Sequence, residues 1–128
     1  MIVRLTPDKC KEENMPFINS KISTPLSKEQ ESQIKEKLGK AIELIPGKSE
    51  NWLMLGFEPE TSLYFKGDNS QPTAFIEVSV YGSENSSAFE KLTGEICRIY
   101  EDVLGISPDH IYIKYQPVSS WGWNGSNL

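Results

Sequence analysis

This 128-residue chain has only one histidine and two cysteines, the commonest nitrogen and sulfur metal ligands. A histidine-rich metal site is therefore excluded. Cys10 and Cys97 stand too far apart to form a metal-binding spacing. Cys10 also lies in a polar leader, so a structural disulfide is not expected. No apolar run approaches the roughly 18–20 residues needed to cross a bilayer, and no membrane partner is expected. The first residues, MIVRLTPDKCKEEN, lack the apolar centre of a secretory signal. Basic charge is scarce as well: 13 Lys plus Arg against 18 Asp plus Glu give a net charge of -5. Phosphate-backbone binding needs a basic surface, so no nucleic-acid partner is expected. What remains is one small acidic domain: an enzyme, a binding module or an interaction protein.

What the chain does have is an internal repeat. Shifting the sequence so that Pro16 lies over Ala74 aligns Pro16–Ile22 with Ala74–Val80 without gaps. The same offset lays Gly47-Lys48-Ser49 over Gly105-Ile106-Ser107, and Trp52–Phe57 over His110–Tyr115. Between these ends, Ile34, Leu38, Ala41, Ile42 and Ile45 match Leu92, Ile96, Ile99, Tyr100 and Val103. That spacing marks one face of an amphipathic helix. Ser27 with Gln30, and Ser87 with Glu90, offer capping-box starts. Pro46-Gly47 and Gly105 offer stops. The flanking segments, Phe17–Ile22, Leu53–Phe57, Thr73–Tyr81 and Ile111–Tyr115, are β-branched or aromatic-rich, as strands are.

Each half, residues 16–57 and 74–115, thus reads strand, helix, strand. A connection of that length makes its two strands parallel, with a right-handed crossover. The expected fold is α+β: two βαβ repeats forming a four-stranded mixed sheet, with two helices on one face. The other face is expected to be apolar, carrying residues such as Phe17 or Ile18 and Phe75 or Ile76. An uncovered apolar face points to oligomerisation. In the connector, Leu63-Tyr64-Phe65 is expected to form an edge strand ended by a turn at Gly67-Asp68-Asn69. Residues 1–14 have no counterpart in the repeat and stand apart as a leader. The domain is placed at 15–128.

The chain resembles the macrophage migration inhibitory factor family of the tautomerase superfamily. The resemblance rests on Met15-Pro16-Phe17-Ile18, Gly47-Lys48, Tyr64-Phe65-Lys66-Gly67 with Gln71-Pro72, and Gly105-Ile106-Ser107-Pro108-Asp109. It rests also on Ile111-Tyr112-Ile113 and Gly122-Trp123-Asn124-Gly125-Ser126, and on the order and spacing of all six. It implies a homotrimer whose sheets line a central channel, with active sites between neighbouring subunits. Threefold symmetry closes such a heterologous interface.

The resemblance implies that Pro16 is a catalytic base, its secondary amine exposed by removal of the preceding methionine. Cationic neighbours disfavour the protonated amine and lower its pKa toward neutrality. Taken by position alone, Pro16 reads as the start of an edge strand. Within the whole chain its nitrogen is a tertiary amide with no basic lone pair. A start at Met15, or clipping of the leader there, restores the amine. Lys48 is either a solvated loop lysine or, by resemblance, the cation that binds substrate carboxylate or keto oxygen. It and Pro16 are expected to open the two strands of one βαβ unit at different ends, so that the fold must bring them together. Tyr112 maps onto a tyrosine that the adjacent subunit supplies; the alternative is a sheet residue facing the interface. Trp121 and Trp123 are expected to form an aromatic rim. Trp121, Tyr81 and Lys114 depart from the family pattern among the residues the resemblance assigns to substrate binding, which bears on substrate preference; Lys114 either adds a second cation for an anionic substrate or faces the channel. Thr73 and Ile76 stand where some relatives carry a Cys-x-x-Cys pair, so thiol–disulfide chemistry is not supported. Cys97 reads as a packing residue and His110 as a surface residue at a strand start. The sequons at Asn85 and Asn124 are not expected to meet glycosylation machinery without a signal peptide.

Two functions follow from the resemblance. One is a cofactor-independent keto–enol tautomerase, an isomerase acting on small aryl α-keto acids of the phenylpyruvate or dopachrome type. The other is a signalling ligand for a cell-surface receptor, with weak or no catalysis if the leader is retained. A cytoplasmic location is expected, with signal-peptide-independent release as the alternative.

Overall fold

The computed structural model describes residues 15–128; the leader and Cys10 lie outside the described residues. The first strand, β1 (Pro16–Ile22), alternates strictly. Pro16, Ile18, Ser20 and Ile22 are buried, while Phe17, Asn19 and Lys21 point the other way. Helix α1 (Lys28–Ala41) opens on the expected capping box. The Ser27 hydroxyl accepts the Gln30 N–H and the Gln30 side chain accepts the Ser27 N–H, both at 3.0 Å. The helix tightens into a 3-10 turn at Ile42–Leu44 and so ends ahead of Pro46-Gly47. A second 3-10 turn, Glu50–Trp52, leads into β2 (Met54–Glu58).

The second half follows the same course, with one correction. Strand β3 (Ala74–Tyr81) precedes helix α2 (Ser86–Leu104). The cap of α2 is Asn85 rather than a Ser87–Glu90 box: its side-chain oxygen accepts the Ala88 N–H at 3.1 Å. Asparagine is among the strongest N-cap residues, and here it stands two residues ahead of Ser87. Gly105, at φ 69°, closes the helix in the left-handed conformation that favours glycine. Strand β4 (Ile111–Val118) and a short hairpin, β5 (Gly122–Trp123) and β6 (Ser126–Asn127), complete the chain.

The sheet order is β2-β1-β3-β4. β1 pairs in parallel with β2, β3 in parallel with β4, and the two units join through antiparallel β1 and β3. This is the expected mixed sheet of two βαβ units. Ile34, Leu38 and Ile42 from the first half meet Leu92, Ile96 and Tyr100 from the second over Ile18, Ile76 and Val78. Both helices therefore cover one face. Burying each aliphatic side chain contributes roughly 1.5–3 kcal/mol. One polar pair interrupts this core: the Ser20 and Tyr100 hydroxyls bond at 2.5 Å, both fully buried. Cys97 packs at the core's margin, where burial pushes its thiol pKa up.

The open face is not the apolar surface expected. It carries Phe17 and Phe75, but Asn19, Lys21, Glu77 and Lys114 stand on it too. Glu77 lies 3.2 Å from Lys114 and 3.9 Å from Lys21. Asn19 donates to Glu58 at 2.7 Å. The most exposed apolar groups of this face lie on the two outer strands, Met54 opposite Phe17 at 66% exposure and Tyr112 opposite Phe75 at 63%. Leu63–Phe65 forms no edge strand. Phe65 and Asp68 instead exchange backbone hydrogen bonds around Lys66-Gly67, both at positive φ, making a two-residue turn. His110 lies in a 3-10 turn, Pro108–His110, half-buried with its ring 5.2 Å from Phe65.

Candidate active site

Parallel pairing places the starts of β1 and β2 at the same end of the sheet, with Phe17 opposite Met54. The expectation that Pro16 and Lys48 begin at different ends is thus corrected: a βαβ crossover returns the chain to the end it left. Pro16 is buried and faces Val80 across the antiparallel ladder. Lys48 lies in the connection ahead of β2, its backbone N–H held by the Ile45 carbonyl at 3.0 Å.

Tyr81, the last residue of β3, ties the two together. Its N–H donates to the carbonyl oxygen of Met15 at 3.1 Å. Its own carbonyl oxygen accepts a hydrogen bond from Lys48 Nζ, also at 3.1 Å. Tyr81 thus acts here through its backbone; its ring falls on the open side of the strand's alternation. Lys48 is only 9% exposed, an unusual fate for a lysine, whose charge is costly to desolvate without partners. A cavity of about 1050 Å³ opens at this end. Lys48, Val80, Tyr81, Gly82, Phe89 and Val118 are among its walls.

The carboxyl-terminal hairpin reaches the same end of the sheet. Asn124 and Gly125, at φ 55° and 86°, make its turn. Trp123 meets Trp52 edge to face, ring centroids 5.2 Å apart at 85°. Trp52 stands two residues ahead of β2, whose first residue faces Phe17 beside Pro16. Trp121 is half-buried, and its carbonyl accepts the Leu128 N–H at 2.9 Å. Trp52 was not singled out in the sequence, standing just outside the strand read at Leu53–Phe57. A lone tryptophan in the polar run Lys48-Ser49-Glu50-Asn51 was the available signal.

Tyr112 and Lys114 lie elsewhere. Tyr112 pairs with Phe75 at the start of β4, whereas Val118 at its other end pairs with Tyr81. At about 3.3 Å per residue, Tyr112 stands about 20 Å along the strand from the Lys48 end. It meets the Phe65 ring edge to face at 5.3 Å. Lys114 pairs with Glu77 and sits over the Phe75 ring at 5.8 Å. One chain therefore carries two partial constellations at opposite ends of its sheet. Pro16, Lys48, Tyr81 and the tryptophans form one; Tyr112, Lys114 and Phe65 form the other. Among the described residues no cluster of three or more His, Cys, Asp or Glu side chains is placed to hold a metal.

Comparison with known proteins agrees with this architecture. The family model described as Macrophage migration inhibitory factor (MIF) matches residues 15–128. A macrophage migration inhibitory factor from Meriones unguiculatus is 28% identical over 116 residues, covering 89% of this chain and 99% of that protein. The crystal structure of Leishmania major MIF2 superposes with a TM-score of 0.84 at 27% identity, covering 90% of this chain and 98% of that one. A macrophage migration inhibitory factor homologue from Prochlorococcus marinus gives a TM-score of 0.78 at 33% identity, covering 87% and 97%. With nearly its whole described length matched in sequence pattern and in fold, this chain belongs to the macrophage migration inhibitory factor family.

Proposed function

We propose that this chain is a keto–enol tautomerase for small aryl α-keto acids of the phenylpyruvate type, with Pro16 as its base once that nitrogen is free. The observation that carries the reading is the meeting of Pro16, Lys48 and the Tyr81 backbone at one end of the sheet beside a cavity. Family membership supports isomerase chemistry. In the proposed reaction the Pro16 nitrogen takes a proton from the carbon next to the carbonyl and returns it to the enol oxygen. The Lys48 ammonium stabilises the developing enolate oxygen or anchors the carboxylate. Loss of Met15 leaves the Tyr81 N–H without its present acceptor, and a substrate oxygen can take that place. Trp52, Trp121 and Trp123 hold the aryl ring. The steps draw on no cofactor.

The partial constellation at the far end enters through assembly. In a homotrimer, the neighbouring chain brings Tyr112 and Lys114 to the Pro16 end of this one. The outer strands β2 and β4 each pair with a neighbour on one side only, which supports a ring joined edge to edge. The test is a protein beginning at Pro16, with its amino terminus verified by intact mass. It is expected to tautomerise phenylpyruvate about 100-fold or more faster than the full chain. Pro16→Gly in that protein keeps an amine but loses the ring and should retain partial activity. Equal rates for the two chain lengths would show that Pro16 is not the base.

A second reading is a secreted ligand for a cell-surface receptor. It is favoured by the mammalian relatives named for inhibiting macrophage migration. Receptor binding that survives loss of catalysis in Lys48→Ala would separate it from the first.

A further inference from the structure

We propose that Glu77 is a specificity-determining residue: it masks the charge of Lys114 and so restricts the site to keto acids whose aryl ring carries no second anion. The proposal rests on the tautomerase reading, in which the neighbouring chain brings Tyr112 and Lys114 to the Pro16 end.

Register across the sheet sets the arrangement. Tyr112 lies opposite Phe75, and the next row on the same face sets Lys114 opposite Glu77. Strand β1 adds Lys21 opposite Phe75 and Asn19 opposite Glu77. The Glu77 carboxylate thus stands between two lysines, 3.2 Å from Lys114 Nζ and 3.9 Å from Lys21 Nζ. Both ammonium groups also lie over the Phe75 ring, 5.8 and 5.9 Å from its centroid. The Glu77 side chain is 31% exposed against 54% for Lys114, so the carboxylate is the inner member of the pair. The remaining charge on this face is Glu58, which lies opposite Lys21 on β2 and is held by Asn19. Three strand spacings of about 4.8 Å put β2 about 14 Å from β4, beyond the screening length of about 8 Å at physiological ionic strength. Lys21 is therefore balanced by Glu58, and Glu77 sets the net charge beside Lys114.

Two residues along one strand span about 7 Å. A ring packed on Tyr112 therefore has Lys114 about 7 Å away, on the same side of the pleat. At that distance in water a unit charge changes the affinity for an anionic ring substituent about threefold, and more where solvent is excluded. An unmasked Lys114 would draw such a substituent in. With Glu77 beside it, a second anion gains nothing to offset its own desolvation. An ion pair this exposed is weakly held, yet pulling Lys114 off it leaves Glu77 facing the same anion. The substrate's one carboxylate is left to Lys48.

The test is a ratio: kcat/KM for 4-carboxyphenylpyruvate over kcat/KM for phenylpyruvate, in the protein beginning at Pro16. Glu77→Gln keeps the side chain's shape and unmasks Lys114, so the ratio should rise about threefold or more. Lys114→Asn leaves Glu77 alone and should lower it by a similar factor. The two substitutions together restore the local charge and should bring the ratio back to that of the parent. In salt of about 1 M, where the screening length falls to about 3 Å, all four ratios should converge. A general loss of packing slows both substrates alike, so an unchanged ratio in Glu77→Gln overturns the proposal. A double variant whose ratio stays with either single one overturns it as well. The affinities of 4-carboxyphenylacetate and phenylacetate, read by tryptophan fluorescence, repeat the comparison without chemistry. If the protein beginning at Pro16 turns over neither keto acid while these affinities still follow the charge, the tautomerase reading falls and the masking by Glu77 stands.

Discussion

Lys48 Nζ donates to the backbone oxygen of Tyr81 at 3.1 Å across a sheet end that the two residues reach from different halves of the repeat. The bond fixes a nearly buried ammonium against β3, the strand antiparallel to the one that begins with Pro16. A charge-assisted hydrogen bond to a substrate oxygen is worth roughly 1.5–3 kcal/mol, or about ten- to a hundredfold in kcat/KM. In the protein beginning at Pro16, Lys48→Ala should lose that much on phenylpyruvate and less on its ester, which lacks the full charge. Its activity should also need a higher pH, because the protonated amine no longer meets a neighbouring cation. Unchanged rate, ester ratio and pH profile would place the site elsewhere.

Assembly is read in solution. Light scattering at micromolar concentration should return a mass near three chains. A stable monomer would leave Tyr112 and Lys114 without a Pro16 to serve.

The two helix caps are separable. Ser27→Ala and Asn85→Ala should each cost about 1 kcal/mol in urea unfolding, since each removes the acceptor of a first-turn N–H. Ser87→Ala should stay within about 0.5 kcal/mol. A larger loss at Ser87 than at Asn85 would restore the cap read from the sequence.

Alkali should unfold the protein through two phenols. Burial pushes Tyr100 and Tyr115 up to about 12, against about 10 for a free tyrosine. Both are harder to ionise when folded. Their contribution to stability is complete below pH 10 and is lost as pH rises toward 12. Absorbance titration should show a late, cooperative phenolate step coinciding with loss of circular dichroism. Tyr115→Phe, which removes the hydroxyl bonded to Thr93 and the Phe89 carbonyl, should shrink that step.

The repeat made the fold legible because Ile34, Leu38 and Ile42 keep the same phase as Leu92, Ile96 and Tyr100, and phase is what sets a helix face. Ser27 was readable for a similar reason: its partner Gln30 is local in sequence. The open face was misread because Phe17 and Phe75 were weighed without Asn19, Lys21 and Glu77, which share their side of the pleat. The connector was misread because Lys66 adopts positive φ, which a lysine does not announce. Pro16 and Lys48 were found as site candidates by resemblance. That their strands start at one end follows from parallel pairing and was derivable from the βαβ reading itself. The distance of Tyr112 from Pro16 was not legible, since it depends on where Tyr112 falls in the β3–β4 register.

The placement of Pro16 and Tyr112 at opposite ends of one sheet has a consequence for inheritance. If each site joins the Pro16 end of one chain to the Tyr112 end of the next, a fault at either end spares the other. Chains carrying Pro16→Gly and chains carrying Tyr112→Ala, both impaired alone, would complement when mixed and refolded. Every mixed ring would contain a junction at which an intact Pro16 meets an intact Tyr112. Two defective alleles could then sustain activity that neither sustains by itself.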